Sequence, residues 1–279
     1  MSSTLRKVTL LGTGGSAGVP TIGGADGSGD WGTCDPTEAR NRRTRASVVI
    51  EDVQNQRLLI DTSPDMRAQF VANRIMGADA VLFTHAHADH ITGIDDVRIL
   101  NRIANRPLVA YATQHTLDEI SRRFGYAFAP WDGRSFYRPV LKGKIVNPGE
   151  TVQIAGLDVG LFGQDHGRGQ TLGLRVGPFA YSTDVVRLDD TAFQALAGVD
   201  TWVVDCFLMK GPHWTHADLP TVLGWIARVR PRRAILTHMG TDMDWAWLRA
   251  NLPAGVEPGY DGMVLDFTPE SSRGAILEP

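Results

Sequence analysis

The sequence predicts a layered α/β body with mixed sheets. Strand-like runs fall into two batches, each interleaved with helical stretches, which is the pattern of an α/β layer architecture. Neither a linker, a low-complexity block nor a clear repeat separates the batches, so residues 1–279 are read as a single domain. A chain of 279 residues with 43% hydrophobic and 21% charged residues has the length and the ordinary globular composition to bury a substantial core.

The elements follow in order. KVTLLGT (7–13) reads as a buried strand that ends in the glycine loop GTGGSAGVP. The glycines at 12, 14 and 18 miss the dinucleotide-binding spacing, and Val19-Pro20 is a poor helix opening, so a nucleotide fingerprint is set aside. A long polar, glycine-rich loop (22–45) comes next, of the kind that is often functional. Residues 47–52 and 57–63 form a pair of strands, 65–75 a helix, and DAVLFTH (79–85) a buried strand. Ile94, Val97, Ile99, Leu100 and Ile103 give 93–104 the spacing of an amphipathic helix. A strand at 108–113 and a helix at 115–125 close the first batch. YAFAPWDGRSFYRP (126–139) is aromatic-rich and aperiodic, and is read as a covering flap or a lid. Strands at 151–156, 157–164, 171–177, 178–184, 201–208, 234–239 and 263–267 alternate with helices at 191–198, 219–229 and 245–252, and the last dozen residues read as frayed.

The net charge of −3 argues against a protein built to grip a long polyanion, so no long nucleic acid is expected as partner. Cys34 and Cys206 are far apart and no CxxC is present, so neither a disulfide framework nor a cysteine zinc ribbon is readable. The apolar stretch after MSSTLRK is too short for a signal-peptide core, and no run approaches the roughly 20 residues that span a bilayer. A cytoplasmic location without a membrane partner is the expectation. A homodimer is expected only on the general frequency of such assemblies.

Chemistry is concentrated in THAHADH (84–90). His85, His87, Asp89 and His90 stand at a predicted strand end, where alternate residues share a face and the chain then turns. Imidazole and carboxylate suit zinc and its neighbours, and four donors exceed what one mononuclear site requires. His166 in GQDHG, Asp184 in YSTD and His238 in LTHMG lie at further strand ends, the positions where α/β proteins build sites.

THAHADH, followed in order by DH, STD and LTH, resembles the metallo-β-lactamase superfamily over nearly the whole chain. GTGGSAGVP, VVDCF, THADLPTVL, ILTHM and GYDGM resemble its PhnP-like phosphodiesterases, with ribonuclease Z a more distant relative. The resemblance implies a four-layer αββα sandwich with two mixed sheets. It implies that His85, His87 and His166 hold one metal, that Asp89, His90 and His238 hold a second, and that Asp184 bridges them, the metals being two divalent ions, Zn²⁺ or Mn²⁺. It implies His216 as the catalytic histidine and Asp205 as its acidic partner, with Asp89 also at the chemistry, and Asp61 as support for the ligands from behind. The PhnP enzyme carries a structural zinc site built largely from cysteines near its N-terminus. Only Cys34 is available here, so no structural cysteine zinc is expected.

Two metals can polarise a phosphoryl oxygen and supply a nucleophile near neutral pH, and a positioned acid helps a poor leaving group depart. The expected function is therefore hydrolysis of a small or cyclic phosphodiester, phosphoribosyl cyclic phosphate-like or nucleotide-like. Arg42, Arg43 and Arg45 are the densest basic cluster and are candidates for the substrate phosphate, as is His213 as a neighbour of the chemistry. A ribonuclease Z-like nuclease, an acyl hydrolase of the same superfamily and a PqqB-like accessory protein are the alternatives.

Overall fold

Two seven-stranded sheets stack face to face in the computed structural model, which describes residues 4–268. The first contains β1 (Leu5–Gly12), β2 (Ser47–Asp52), β3 (Arg57–Ile60), β4 (Ala80–Leu82), β5 (Leu108–Ala112), β6 (Leu141–Ile145) and β14 (Val264–Asp266), in the order β14-β1-β2-β3-β4-β5-β6. The second contains β7 (Thr151–Ile154), β8 (Leu157–Asp165), β9 (Gln170–Val176), β10 (Phe179–Ser182), β11 (Thr201–Asp205), β12 (Arg233–Thr237) and β13 (Val256–Pro258), in the order β13-β12-β11-β10-β9-β8-β7. Both sheets are mixed. β3 to β6 are parallel in one and β10 to β13 in the other, and the remaining neighbours run antiparallel.

Helices cover the outer face of each sheet. α1 (Met66–Ala72), α2 (Ala88–Ile91), α3 (Val97–Ala104) and α4 (Gln114–Phe128) belong to the first sheet. α5 (Asp190–Leu196), α6 (Leu219–Val229) and α7 (Trp245–Asn251) belong to the second. The αββα sandwich follows from strand alternation. Val48, Ile50, Leu58, Ile60 and Leu82 face the layer between the sheets, while Val49, Leu59, Val81 and Phe83 face the helices. With both faces covered, such strands read as continuous apolar runs, which is how the sequence exposed them. Truncating one of these side chains, as in Leu59→Ala, is expected to cost about 2–5 kcal/mol.

The structure corrects several expectations. The helical stretch at 93–104 is split into a 3-10 turn over Thr92–Asp96 and then α3. Ile94, Val97 and Leu100 are buried as expected, but Ile99 and Ile103 are 41% and 59% exposed. Asn101 takes the buried place instead, donating to the carbonyls of Arg106 and Val140 and accepting from the Val140 amide. β6 and β13 had no readable signal. Lys142 and Lys144 occupy β6 and Pro258 ends β13, and both strands lie at sheet edges, where lysine and proline discourage further pairing. The segment at 126–139 begins within α4. Arg138 ties it back to the carbonyls of Tyr126, Ala129 and Pro130, Arg102 ties Phe136 to α3, and Trp131 stacks on Phe136 at 4.6 Å. The tail read as frayed lies, beyond residue 268, outside the described residues. No described helix is long and apolar enough to cross a membrane.

Candidate metal centre

The sites of interest gather at one end of the sandwich, where parallel strands of both sheets deliver their C-terminal ends. This is the general location of sites in α/β sheets. Asp61 follows β3, THAHADH follows β4, His166 follows β8, Asp184 follows β10, Asp205 ends β11 and His238 follows β12. Three of these residues, Asp61, Asp184 and His238, have φ of 62°, 53° and 56°. The left-handed region costs a non-glycine residue about 1–3 kcal/mol, and such strain persists where the surroundings hold a residue for function. It turns each side chain inward immediately after its strand.

Six imidazoles surround the Asp184 carboxylate. Ring centroids lie 4.5 Å apart for His85 and His87, 4.4 Å for His85 and His90, 4.9 Å for His87 and His166, 5.0 Å for His166 and His216, 4.7 Å for His216 and His238, and 5.9 Å for His90 and His238. Asp184 divides this group. Its Oδ2 is 3.6 Å from Nε2 of both His85 and His166. Its Oδ1 is 3.1 Å from Nε2 of His90 and 3.3 Å from Nε2 of His238. Asp89 adds Oδ2 at 3.2 Å from His90 and 3.6 Å from His238. Donor atoms of His85, His87, His166 and Asp184 lie within 4.8 Å of one another, as do those of Asp89, His90, Asp184 and His238.

These donors fit a pair of divalent ions. Nε2 of His85 and of His238 are buried without a hydrogen-bond partner among the described residues, an arrangement that is costly unless something else binds them. The mixture of imidazole nitrogen and carboxylate oxygen is accepted by zinc and manganese alike. The opposite ring nitrogens are held from behind. Asp61 Oδ2 lies 2.7 Å from His90 Nδ1 and also accepts from the Thr84 hydroxyl at 2.8 Å, while that hydroxyl is 3.0 Å from His85 Nδ1. One buried carboxylate thus orients a histidine of each group. Gly93 lets the turn after His90 rest on the end of β3, since a Cβ there would sit 2.0 Å from the Ser63 carbonyl oxygen. The carbonyl of Thr215 holds His166 Nδ1 at 2.8 Å.

Burial would lower His90 and His238, but Asp184 and Asp89 outweigh it and raise both, His238 to about 9, while His85, His87 and His166 are lowered. Burial pushes the Asp184 carboxyl up, but His238, His90 and His85 outweigh it and hold the group well below the usual carboxylate range. Burial likewise opposes ionisation of Asp89, and His90 and His238 reverse it. His85 is driven well below the ordinary imidazole value by burial and by His90, which keeps it neutral and able to offer a lone pair. Burial also lowers His87 and His166.

Beside the cluster, His216 Nδ1 is 2.7 Å from Asp205 Oδ2, and that same oxygen accepts from the Val185 amide at 2.9 Å. Val185 follows Asp184, so the acid that positions His216 is registered to the central carboxylate. His213 lies 5.1 Å from His216, ring to ring, against Phe207. His115, the remaining histidine, is exposed on α4.

Residues 56–239 match the family profile described as the beta-lactamase superfamily domain. A crystal structure of a diphosphatase from the PhnP family is 31% identical, covers 94% of this chain and 98% of its own, and superposes with a TM-score of 0.82. The chain belongs to the metallo-β-lactamase superfamily. Its fold is also that of Zn²⁺-bound PqqB from Methylobacterium extorquens (21% identical, TM-score 0.73, 93% and 99% covered) and of the short form of human tRNase Z (17% identical, TM-score 0.63, 93% and 98% covered). An octanoyltransferase of Porphyromonas gingivalis is 31% identical over 281 aligned positions, a match that covers 96% of this chain and 55% of that protein, so the chain spans about half of that relative's length.

The three arginines that the sequence grouped together separate within this metallo-β-lactamase fold. Arg42 is exposed, its guanidinium 4.9 Å from the Trp31 ring. Arg43, expected as a phosphate contact, points into the body at 2% exposure. Its guanidinium is spent on the carbonyls of Met243 and Gly240, on Asn41 and on the Cys34 sulfur. With the Asp244 carboxylate, which accepts from Asn41 and the Asp35 amide, it fastens the loop that carries Cys34. Arg45, paired to Asp65 at 2.9 Å, lines a groove of about 500 Å³ together with Ser16, Ala17 and Asp89. Sequence reading gave no role to Asp261 beyond its motif. It accepts the amides and hydroxyls of both Thr13 and Thr44, joining the glycine loop to the arginine segment. Gly15 in that loop faces Phe207 and His238, and a Cβ there would lie 2.7 Å from the phenyl ring.

Proposed function

We propose that this superfamily member is a dinuclear metal-dependent phosphodiesterase acting on a small or cyclic phosphodiester, phosphoribosyl cyclic phosphate-like or nucleotide-like. The observation that carries the proposal is the division of Asp184, one oxygen toward His85 and His166, the other toward His90 and His238. His85, His87, His166 and Asp184 would hold one ion, and Asp89, His90, Asp184 and His238 the other. Two Zn²⁺ or Mn²⁺ ions, when bound, polarise a phosphoryl oxygen and make water nucleophilic near neutral pH.

The chain's own residues supply the rest. Asp205 fixes the His216 ring through Nδ1, so Nε2 on the other side is the atom that can deliver a proton to the departing oxygen. An alkoxide leaves poorly without such a donor. Arg45, which lines the same groove as Asp89 and is paired to Asp65, would neutralise a nonbridging phosphate oxygen. Asp61, through His90 and Thr84, keeps both groups of ligands aimed inward. The diphosphatase name of the PhnP-family relative supports a second reading, a diphosphate substrate cleaved by the same groups. The octanoyltransferase name belongs to a protein of which 45% lies outside the match, and it gives no support for acyl transfer by this chain.

The test is hydrolysis by Zn²⁺- or Mn²⁺-loaded protein of 5-phosphoribosyl 1,2-cyclic phosphate, cyclic nucleotides and diphosphate esters, followed by phosphorus NMR, with Asp184→Asn as control. A phosphomonoester released by the wild type and not by the variant supports the proposal. Loaded protein that turns over none of them returns the chain to an acyl or accessory role.

A further inference from the structure

A second cleft opens beside His216, with lining residues distinct from those of the Arg45 groove. Part of it, about 360 Å³, is lined by His216, Lys210, Pro212, His213 and Asp218, whose carboxylate is taken up by the amides of Gly211 and Thr221. The adjoining part, about 610 Å³, shares Pro212 and His213 and adds Arg168, Arg187 and Trp214. Arg187 is engaged with Asp165. Among the described residues no carboxylate lies within ion-pair distance of Arg168 or Lys210. Trp214 is 85% exposed, an unusual position for an indole and one that nothing in the fold's packing requires.

The wall is firmly seated. Residues 209–218 are closed at their base by the bridge between Leu208 and Asp218, and the Asp218 carboxylate accepts from the Gly211 amide at 3.1 Å. Gly211 turns with a φ of 125°, which favours glycine. The Trp214 carbonyl packs directly on Gly167, where a Cβ would come within 2.1 Å of it. Trp214 is thus registered to the loop of His166, one residue from the carbonyl that holds that ring.

We infer that this cleft is a leaving-group subsite for a nucleotide, so that the substrate is a nucleoside diphosphate ester; the inference rests on the phosphoryl-transfer reading above. The phosphorus under attack belongs at the metal cluster. Two unpaired cations beyond His216 then serve a second anionic group on the departing side. An exposed indole beside them offers a stacking face for a base. Water adds to the phosphorus at the cluster, the P–O bond to the bridging oxygen breaks, and the nucleoside monophosphate departs past His216 as a phosphate that needs no proton to leave. The protons of the attacking water pass to the two phosphate products and to solvent, so one diphosphate ester and one water give two phosphomonoesters.

The experiment is calorimetric titration of metal-loaded protein with AMP and with ribose 5-phosphate, which lacks the base. AMP is expected to bind about tenfold or more tightly than ribose 5-phosphate. Trp214→Ala should abolish that preference without changing ribose 5-phosphate binding, Trp214→Phe should keep most of it, and Arg168→Ala with Lys210→Ala should weaken both ligands. Equal binding of the two ligands by the wild type, or a preference that survives Trp214→Ala, overturns the inference. Hydrolysis of ADP-ribose is measured in parallel. A base preference without hydrolysis of ADP-ribose keeps the nucleotide subsite and overturns the diphosphate-ester substrate, whereas failure on every phosphodiester tested counts against the phosphoryl-transfer reading.

Discussion

Nδ1 of His90 meets Oδ2 of Asp61 at 2.7 Å, with both side chains fully buried. Through Thr84 the same carboxylate also reaches His85, so one residue behind the cluster positions a ligand of each proposed ion. Asp61→Ala is expected to weaken metal binding by about 10–100-fold, the usual effect of removing such a partner. Competition with a chelator of known affinity measures it. Unchanged affinity for both ions would refute the role.

Asp184 is the only carboxylate among the described residues that reaches both groups, so its removal should act on both ions. Asp184→Ala is expected to lower bound metal from two ions per chain, with activity falling to background. His87→Ala should loosen one ion and spare the other. Elemental analysis after dialysis distinguishes them, and equal losses in the two variants would count against a bridging carboxylate.

His216 and Asp205 touch the proposed proton transfer and lie outside the two ligand sets. His216→Ala should reduce kcat by about 10²–10⁴ with the metal content unchanged. The loss should shrink for a substrate with a nitrophenolate leaving group, which needs no proton. Asp205→Ala should follow His216→Ala in the same direction. A loss of equal size on both substrates would assign His216 to structure.

Asp261 supplies a pH dependence. Burial pushes its carboxyl up to about 6 from an ordinary value of 3.8, against the hydrogen bonds from Thr44 and Thr13. Between about pH 4 and 6 the folded protein keeps a proton that the unfolded chain has released. The native state binds more protons there, so this group's contribution to stability is greatest below the window and falls as pH rises through it, by roughly 3 kcal/mol in all. Asp261→Asn removes that slope. Denaturant unfolding of both proteins at pH 4.5 and pH 7 gives the difference, and identical slopes would show that the carboxyl is not held protonated.

Arg43 is a structural arginine whose buried carbonyl partners lose their donors when it is removed. Arg43→Ala should lower stability by several kcal/mol, about 1–3 for each buried acceptor left unmet. Arg45→Ala should leave stability nearly intact and raise KM for the phosphoester. Thermal unfolding and steady-state kinetics on the two variants read the contrast, and a raised KM in Arg43→Ala without destabilisation would return that residue to the substrate.

By itself the sequence determined the strand batches, the donor types and the strand-end positions of His85, His166, Asp184 and His238, because apolar runs and turns are local and metal-binding chemistry belongs to the residue. It also held His216 and Asp205, through the likeness of their motifs. Tertiary structure decided which arginine faces the groove, since Arg42, Arg43 and Arg45 differ only in the direction that the loop gives each side chain. It decided that the Thr215 carbonyl holds His166 and that Trp214 stands at the cleft, because a backbone oxygen carries no residue signature and an exposed indole none of periodicity. It also divided the Asp184 carboxylate between two groups of histidines. That division requires the strand ends of two separate sheets to meet at one edge of the sandwich, and packing between layers brings them there.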